Sequence, residues 1–195
     1  MNLPNKLTIS RIILSPVFYF LFIIENRITR ALSLLVFTVA ALTDLYDGYL
    51  ARKYNILTNF GKFMDPLADK ILTSTAFISF VALDYAQAWM VSTIIVREFI
   101  ITGLRSLVAY KGQVIMPSFL AKVKAASQMI VIVFMLIIVN GETLLGSYSK
   151  DIPLFNTITM QGYFNYMILF TTILTVWTGL DYIIKSFPMI KSMLR

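Results

Sequence analysis

Residues 44–69 read DLYDGYLARKYNILTNFGKFMDPLAD, and this stretch decides the fold because one apolar run precedes it and another follows it. It holds four aspartates in two pairs, Asp44 with Asp47 and Asp65 with Asp69. Residues three or four positions apart lie on one face of an α-helix, so each pair presents its carboxylates together. The stretch therefore predicts two helices joined by a short loop, with the acidic faces at the ends that the loop connects.

Further apolar runs lie on both sides of this stretch, each near the length of about 20 residues that crosses the hydrocarbon of a bilayer as a helix. The predicted spans are Leu7–Ile24, Arg30–Tyr49, Pro66–Leu83, Ala88–Ala109, Phe119–Val139 and Tyr163–Lys185. Glycine, serine and proline interrupt the longest connection, between the last two spans. We expect an all-α polytopic membrane protein with six transmembrane helices.

The composition agrees with a membrane protein, since 58% of the residues are hydrophobic and only 14% are charged. A soluble domain carries nearly twice that share of charged residues. We expect one membrane domain over residues 1–195. The formal net charge of +7 suits nucleic acid or an anionic membrane surface, and the apolar background favours the membrane over nucleic acid.

The distribution of basic residues predicts the orientation, because cytosolic loops are enriched in lysine and arginine. Six spans place both termini and most basic residues on one side. Only Arg27, Arg30 and Lys150 fall on the other side, while Arg97 lies within a span. We therefore expect a multi-pass protein of the cytoplasmic membrane, with both termini and the acidic stretch facing the cytosol.

The four aspartates predict a metal site. Four carboxylates at one membrane depth repel each other and are costly to bury, so cations must offset them. Oxygen ligands favour Mg²⁺ or Mn²⁺, and four carboxylates are enough for two ions. Such a site suits phosphoryl transfer. The chain has no histidine, so a carboxylate must accept the proton of the attacking group. The alternative is that the aspartates only cap helices and pair with Arg52, Lys53 and Lys70.

The motif Asp44-x-x-Asp47-Gly48-x-x-Ala51-Arg52, then eight residues, then Gly61-x-x-x-Asp65-x-x-x-Asp69 resembles the signature of the CDP-alcohol phosphotransferases. The resemblance implies that the four aspartates hold two Mg²⁺ or Mn²⁺ ions and that Asp69 also accepts the proton. It places the CDP-lipid against five residues: Gly48, Ala51, Arg52, Thr58 and Gly61. It also implies attack by an alcohol on the phosphate that bears the lipid, release of CMP, and a homodimer.

Looser matches concern the acceptor. The opening Asn2-Leu3-Pro4-Asn5-x-Leu7-Thr8-x-x-Arg11, the run Arg97-Glu98-Phe99 and the run Gly103-Leu104-Arg105 are similar to the subfamily whose substrates are CDP-diacylglycerol and glycerol 3-phosphate. A phosphorylated acceptor needs cations beyond the metals, and arginine can bind phosphate through two parallel hydrogen bonds. Arg105 and Lys122 are the candidates for that phosphate, although cytosolic loops carry such residues without any ligand.

Several alternatives remain open from the sequence. Within the family, the acceptor could instead be inositol phosphate, serine or phosphatidylglycerol. A membrane prenyltransferase also binds magnesium diphosphate through aspartates, but the glycine spacing would be unexplained. A divalent-cation transporter would place its acids near the bilayer midplane on broken helices, whereas these acids cluster at one face.

Three further polar residues carry structural expectations. Thr8 is expected to cap the first helix and Arg11 to anchor it at the membrane interface. The alternative is that Asn5, Thr8 and Arg11 reach the CDP moiety or a phosphate from the helix start. Glu98 lies within the fourth predicted span and shares a helix face with Arg105, seven residues on. We expect Glu98 to orient that arginine. The alternatives are that Arg97 and Glu98 form an internal salt bridge or a dimer contact.

Overall fold

The structure is a computed structural model that describes the backbone of residues 3–54, 59–110, 118–145 and 157–193. Side chains are described at 6–43, 64–106, 108, 118–145 and 158–185. Within these ranges the chain is all-helical and contains no strand. The six helices are α1 (Leu3–Ile23), α2 (Arg27–Tyr54), α3 (Asn59–Ala82), α4 (Ala88–Tyr110), α5 (Phe119–Leu145) and α6 (Thr157–Met193).

The helices coincide with the predicted spans but extend beyond several of them. α2 continues past Tyr49 to Tyr54, and α3 begins at Asn59 rather than Pro66. The predicted bounds marked only the apolar part of each helix. Backbone hydrogen bonds continue into the polar ends, so the acidic stretch itself is helical on both sides of residues 55–58.

Side-chain capping explains where two of the helices begin. The Asn26 side chain accepts a hydrogen bond from the Ile28 amide at 2.9 Å, and Ser118 Oγ accepts one from the Ala121 amide at 3.2 Å. Both are the residue types that satisfy free amides at a helix N-terminus. Between α3 and α4, Asp84 has a positive φ of 57° and closes a tight turn.

Interlocking aromatic and aliphatic side chains form the core. The Phe18 ring lies 5.4 Å from Phe22 and 5.3 Å from Phe37, and Phe22 lies 5.7 Å from Phe80. These contacts join α1, α2 and α3. α5 and α6 contribute a second buried group: Ile132, Met135, Leu136, Phe164 and Ile168.

α1 lies against both α2 and α3, which contact each other much less in the described part of the chain. α4 packs on α6 and α3, and α5 packs on α6 and α2. The helices that carry the aspartates are therefore held together mainly through α1.

Many large apolar side chains point outward, including Phe20 at 63% exposure and Ile130 at 66%. Such a surface suits lipid. Among the described residues, three stretches are apolar and long enough to cross a membrane: Lys6–Ile23, Phe119–Leu145 and Ile158–Lys185. α2, α3 and α4 contain a larger share of charged residues than these three stretches. α4, for example, contains Arg97, Glu98 and Arg105. The helical fold class is confirmed, and a membrane location is supported.

Candidate active site

The predicted motif lies on the C-terminal part of α2 and the N-terminal part of α3. Asp44, Asp47, Gly48, Ala51 and Arg52 fall within the last turns of α2. Gly61 falls in the first turn of α3. The side chains of these α2 residues and Thr58 lie outside the described residues, as do the surroundings of Gly61. The predicted roles of these residues therefore stay predictions.

Asp65 and Asp69 are described, and they lie one turn apart on α3. Thr8 Oγ1 of α1 donates a hydrogen bond to Asp65 Oδ1 at 2.5 Å. Thr8 lies in the second turn of α1, which begins at Leu3, and it is fully buried, so it does not cap the helix and that expectation was wrong. The hydroxyl instead fixes a carboxylate on the neighbouring helix. Arg11, expected at the interface, is also fully buried.

Lys70 joins the acidic motif to a second charged cluster. Its Nζ lies 3.0 Å from Asp69 Oδ2 and 3.2 Å from Glu98 Oε2. Glu98 is 5% exposed and also binds Arg97 Nη1 at 3.0 Å and Lys124 Nζ. One carboxylate of α4 therefore binds cations from α3, α4 and α5. We call Glu98, Lys70, Arg97 and Lys124 the Glu98 cluster.

The described partners of Glu98 differ from the predicted one. Glu98 was expected to orient Arg105, but its charged partners are Lys70, Arg97 and Lys124. Arg105 lies further along α4, with its guanidinium 5.9 Å from the centre of the Tyr182 ring. Lys124 is only 3% exposed. The sequence could not identify this cluster, because its members come from three helices.

Arg97 is held between α4 and α6. Its Nη2 donates to Thr178 Oγ1 at 2.9 Å. A Cβ built on Gly179 would come within 3.0 Å of Arg97 Nε and 3.1 Å of its Cγ. The missing side chain at this glycine leaves the space that the arginine occupies. Arg97 therefore has a fixed direction despite its length.

A cavity of about 280 Å³ opens beside the Glu98 cluster, between the ends of α4 and α6 and the start of α5. Arg105 and Lys122 both line it, so the fold brings the two predicted phosphate-binding residues together. Six cationic side chains and two carboxylates contribute to the lining: Lys70, Arg97, Arg105, Lys122, Lys124 and Lys185, with Glu98 and Asp181. The formal excess of four positive charges favours an anionic ligand.

The described aspartates suit a hard cation. Asp65 and Asp69 offer carboxylate oxygens on one face of α3, and oxygen donors are the ligands that Mg²⁺ and Mn²⁺ prefer. The side chain of Asp69 is 34% exposed and so is accessible to an ion. Across the described side chains, histidine, cysteine and acidic residues form no group of three that could hold a metal. A complete site would therefore also need Asp44 and Asp47.

Comparison with known proteins gives one family and consistent relatives. The model of the family described as CDP-alcohol phosphatidyltransferase matches residues 1–178. A Bacillus subtilis (strain 168) protein is 43% identical over 143 residues, covering 67% of this chain and 74% of the relative. A Rickettsia typhi protein is 44% identical over 128 residues, covering 66% and 72%. A Salmonella typhimurium protein is 38% identical over 141 residues, covering 69% and 76%. All three relatives are named CDP-diacylglycerol–glycerol-3-phosphate 3-phosphatidyltransferase.

Proposed function

This chain belongs to the CDP-alcohol phosphatidyltransferase family, and we propose from that membership that it transfers the phosphatidyl group of CDP-diacylglycerol to sn-glycerol 3-phosphate. A hydroxyl oxygen of the acceptor bonds to the phosphorus that bears the lipid. The bond from that phosphorus to the oxygen of CMP breaks. The products are phosphatidylglycerophosphate and CMP. Family membership also removes the prenyltransferase and the cation transporter as alternatives.

The observation that carries the proposal is the position of the cationic cavity beside the acidic motif. Lys70 contacts Asp69 on one side and Glu98, which lines the cavity, on the other. A phosphorylated alcohol in the cavity would therefore have its phosphate among cations and its hydroxyl near the aspartates. The net positive lining favours a dianion over serine, which carries no net charge. The small volume suits a small acceptor rather than a whole lipid.

The family generally uses divalent metal ions, and the carboxylates of this chain suit them. Asp44, Asp47, Asp65 and Asp69 would hold two Mg²⁺ or Mn²⁺ ions. When bound, the ions would neutralise charge on the diphosphate and on the leaving CMP. Asp69 would take the proton of the acceptor hydroxyl. Five residues would contact the CDP-lipid: Gly48, Ala51, Arg52, Thr58 and Gly61.

The arrangement of the helices supports a six-span topology with cytosolic termini. Asp65, the Glu98 cluster and the cavity all lie at the end of the bundle where α1 and α3 begin and α4 ends. The predicted basic loops lie at that end, so it would face the cytosol in the cytoplasmic membrane. Residues 1–195 would form one domain, and the active protein would be a homodimer, as the family resemblance implies.

An acceptor panel tests the proposed function. Purified protein in lipid nanodiscs receives CDP-diacylglycerol, Mg²⁺ and one acceptor: glycerol 3-phosphate, glycerol, inositol phosphate, serine or phosphatidylglycerol. Mass spectrometry identifies the lipid product while released CMP is quantified. We expect phosphatidylglycerophosphate and an equal amount of CMP with glycerol 3-phosphate. A faster reaction with another acceptor would reassign the substrate.

A chelator arm in the same assay tests the metal proposal. Excess chelator should abolish CMP release, and added Mg²⁺ or Mn²⁺ should restore it. Full activity in the presence of the chelator would contradict the assignment of the aspartates as metal ligands.

A further inference from the structure

Glu98 contacts three of the cations that line the cavity, yet the proposed reaction gives it no role. Its two carboxylate oxygens bind three cations. Oε1 binds Lys124 and Arg97, and Oε2 binds Lys70. These cations come from different helices, so their relative positions depend on this one side chain.

Glu98 leaves donors free to reach a ligand. A lysine ammonium has three N–H donors. Among the described side chains, Lys124 uses one donor on Glu98, while Lys70 uses one on Glu98 and one on Asp69. Both lysines line the cavity, so their remaining N–H groups are available to a ligand placed there. Arg97 directs Nη1 to Glu98 and Nη2 to Thr178, which makes it a fixed support.

The carboxylate also makes this density of positive charge tolerable. Lys124 and Glu98 are almost completely buried, at 3% and 5% exposure. Buried cations without a counterion are strongly destabilised. With one carboxylate against three cations, the cluster keeps a formal excess of two positive charges. It is therefore held together and still attracts an anion.

We propose that Glu98 is a positioning residue of the acceptor site, holding Lys70 and Lys124 so that their free N–H donors meet the phosphate of the acceptor. The proposal rests on the proposed function for the identity of that acceptor. Two effects oppose each other when Glu98 is lost. Removing a negative charge strengthens the attraction of the cavity for phosphate, whereas releasing three mutually repelling cations misplaces the donors. We infer that misplacement dominates, because a shift of about 1 Å is enough to cost 100-fold.

The test compares Glu98→Gln with the wild type in nanodiscs, measuring KM for each substrate together with kcat. We expect the KM for glycerol 3-phosphate to rise about 10–100-fold, with the KM for CDP-diacylglycerol within about twofold. Glu98→Asp should recover part of the loss, because a carboxylate remains. Glu142→Gln is the matched control: it changes a glutamate near the end of α5 remote from the cavity and should leave both KM values unchanged.

Several outcomes would overturn the proposal. Tighter acceptor binding in Glu98→Gln would mean that Glu98 competes with the phosphate instead of arranging its ligands. Equal changes in both KM values would indicate a purely structural role. If Glu98→Gln does not fold, Glu98→Asp and the charge-balanced double variant Glu98→Gln/Lys124→Met replace it. Wild-type values for both substrates in the double variant would also contradict the proposal.

Direct binding separates this proposal from the proposed function. Calorimetry with glycerol 3-phosphate and with inorganic phosphate needs no turnover. Loss of phosphate binding in Glu98→Gln, with binding intact in the wild type, supports the positioning role even if the acceptor panel names another phosphorylated alcohol. Equal binding of phosphate by both proteins would reject the positioning role even if the wild type makes phosphatidylglycerophosphate.

Discussion

Asp69 carries two assignments, as a metal ligand and as the acceptor of the hydroxyl proton. Its Oδ2 lies 3.0 Å from Lys70 Nζ, so one oxygen of the carboxylate already contacts a cation. In a loose transition state the alcohol becomes acidic as its oxygen bonds to phosphorus, so a carboxylate is sufficient as the proton acceptor.

Asp69→Asn should therefore remove the proton acceptor while keeping the shape of the side chain and one ligand oxygen. We expect kcat to fall about 10²–10⁴-fold, the loss typical for a general base, with binding of the CDP-lipid largely retained. The rate and the binding are measured on one preparation at saturating Mg²⁺.

A matched control is Asp84→Asn, an exposed aspartate in the α3–α4 turn that should keep wild-type kcat. Asparagine also tolerates the positive φ of that position. If Asp69→Asn keeps more than about a tenth of the wild-type kcat, another group accepts the proton.

At the scale of helices, the contact between α1 and α3 sets the position of Asp65. The Thr8 hydroxyl donates a hydrogen bond to that carboxylate. Groups that orient metal ligands affect metal binding. Thr8→Val removes the hydroxyl at nearly constant shape. We expect the Mg²⁺ concentration for half-maximal activity to rise about 10–100-fold, with Thr8→Ser near the wild type.

Thr38→Val is the corresponding control. Thr38 is exposed on α2. In the described contacts its hydroxyl donates a hydrogen bond only to the Leu34 carbonyl of the same helix. It should leave the Mg²⁺ requirement unchanged. An unchanged requirement in Thr8→Val itself would show that the hydrogen bond to Asp65 serves packing alone.

The sequence predicted the helices well but their contacts poorly, and both results have physical reasons. Apolar runs report burial in lipid or protein, so they located all six described helices and missed only the polar ends. Asp65 and Asp69 lie on one helix, so their spacing in the sequence is enough to predict that they share a face. In contrast, Thr8 and Asp65 are 57 residues apart, and Glu98 and Lys124 are 26 apart. Local periodicity contains no information about such pairs.

The same limit explains the errors for Thr8 and Arg11. Near the start of a predicted span, a threonine is typical of a helix cap and an arginine of an interfacial anchor. The sequence does not show whether other helices cover them. Packing of α1 between α2 and α3 buries both residues completely. Arg105 and Lys122 line one cavity because both lie toward helix ends that meet there, and their binding of phosphate stays a prediction.

At the scale of the whole molecule, the proposed topology gives each end of the bundle a side of the membrane. The chain has no cysteine, so a single introduced cysteine is the only thiol that a reagent can label, and its labelling shows which side of the membrane it faces. Glu25→Cys and Gln87→Cys lie at exposed positions between helices, and Lys6→Cys lies at the exposed start of α1. With a membrane-impermeant thiol reagent, we expect the first two to react in intact cells and Lys6→Cys only after permeabilisation. Reaction of Lys6→Cys in intact cells would place the N-terminus outside.

The whole-molecule account holds that the acidic motif and the cationic cavity form one active centre, with the cavity binding the phosphate of the acceptor. Arg105 lines the cavity but has no described contact with the aspartates. Its substitution therefore tests binding of the acceptor separately from the role of the acidic motif. The residue is exposed, so we expect it to contribute as a hydrogen bond to a charged group does, about 2 kcal/mol.

The most direct test is the KM of Arg105→Ala for each substrate. We predict that KM for glycerol 3-phosphate rises roughly 30-fold, the equivalent of about 2 kcal/mol, while KM for CDP-diacylglycerol stays near the wild-type value. Arg27→Ala, which removes an exposed arginine at the opposite end of the bundle, should change neither. Equal rises in both KM values, or no rise for glycerol 3-phosphate, would contradict an acceptor site in this cavity.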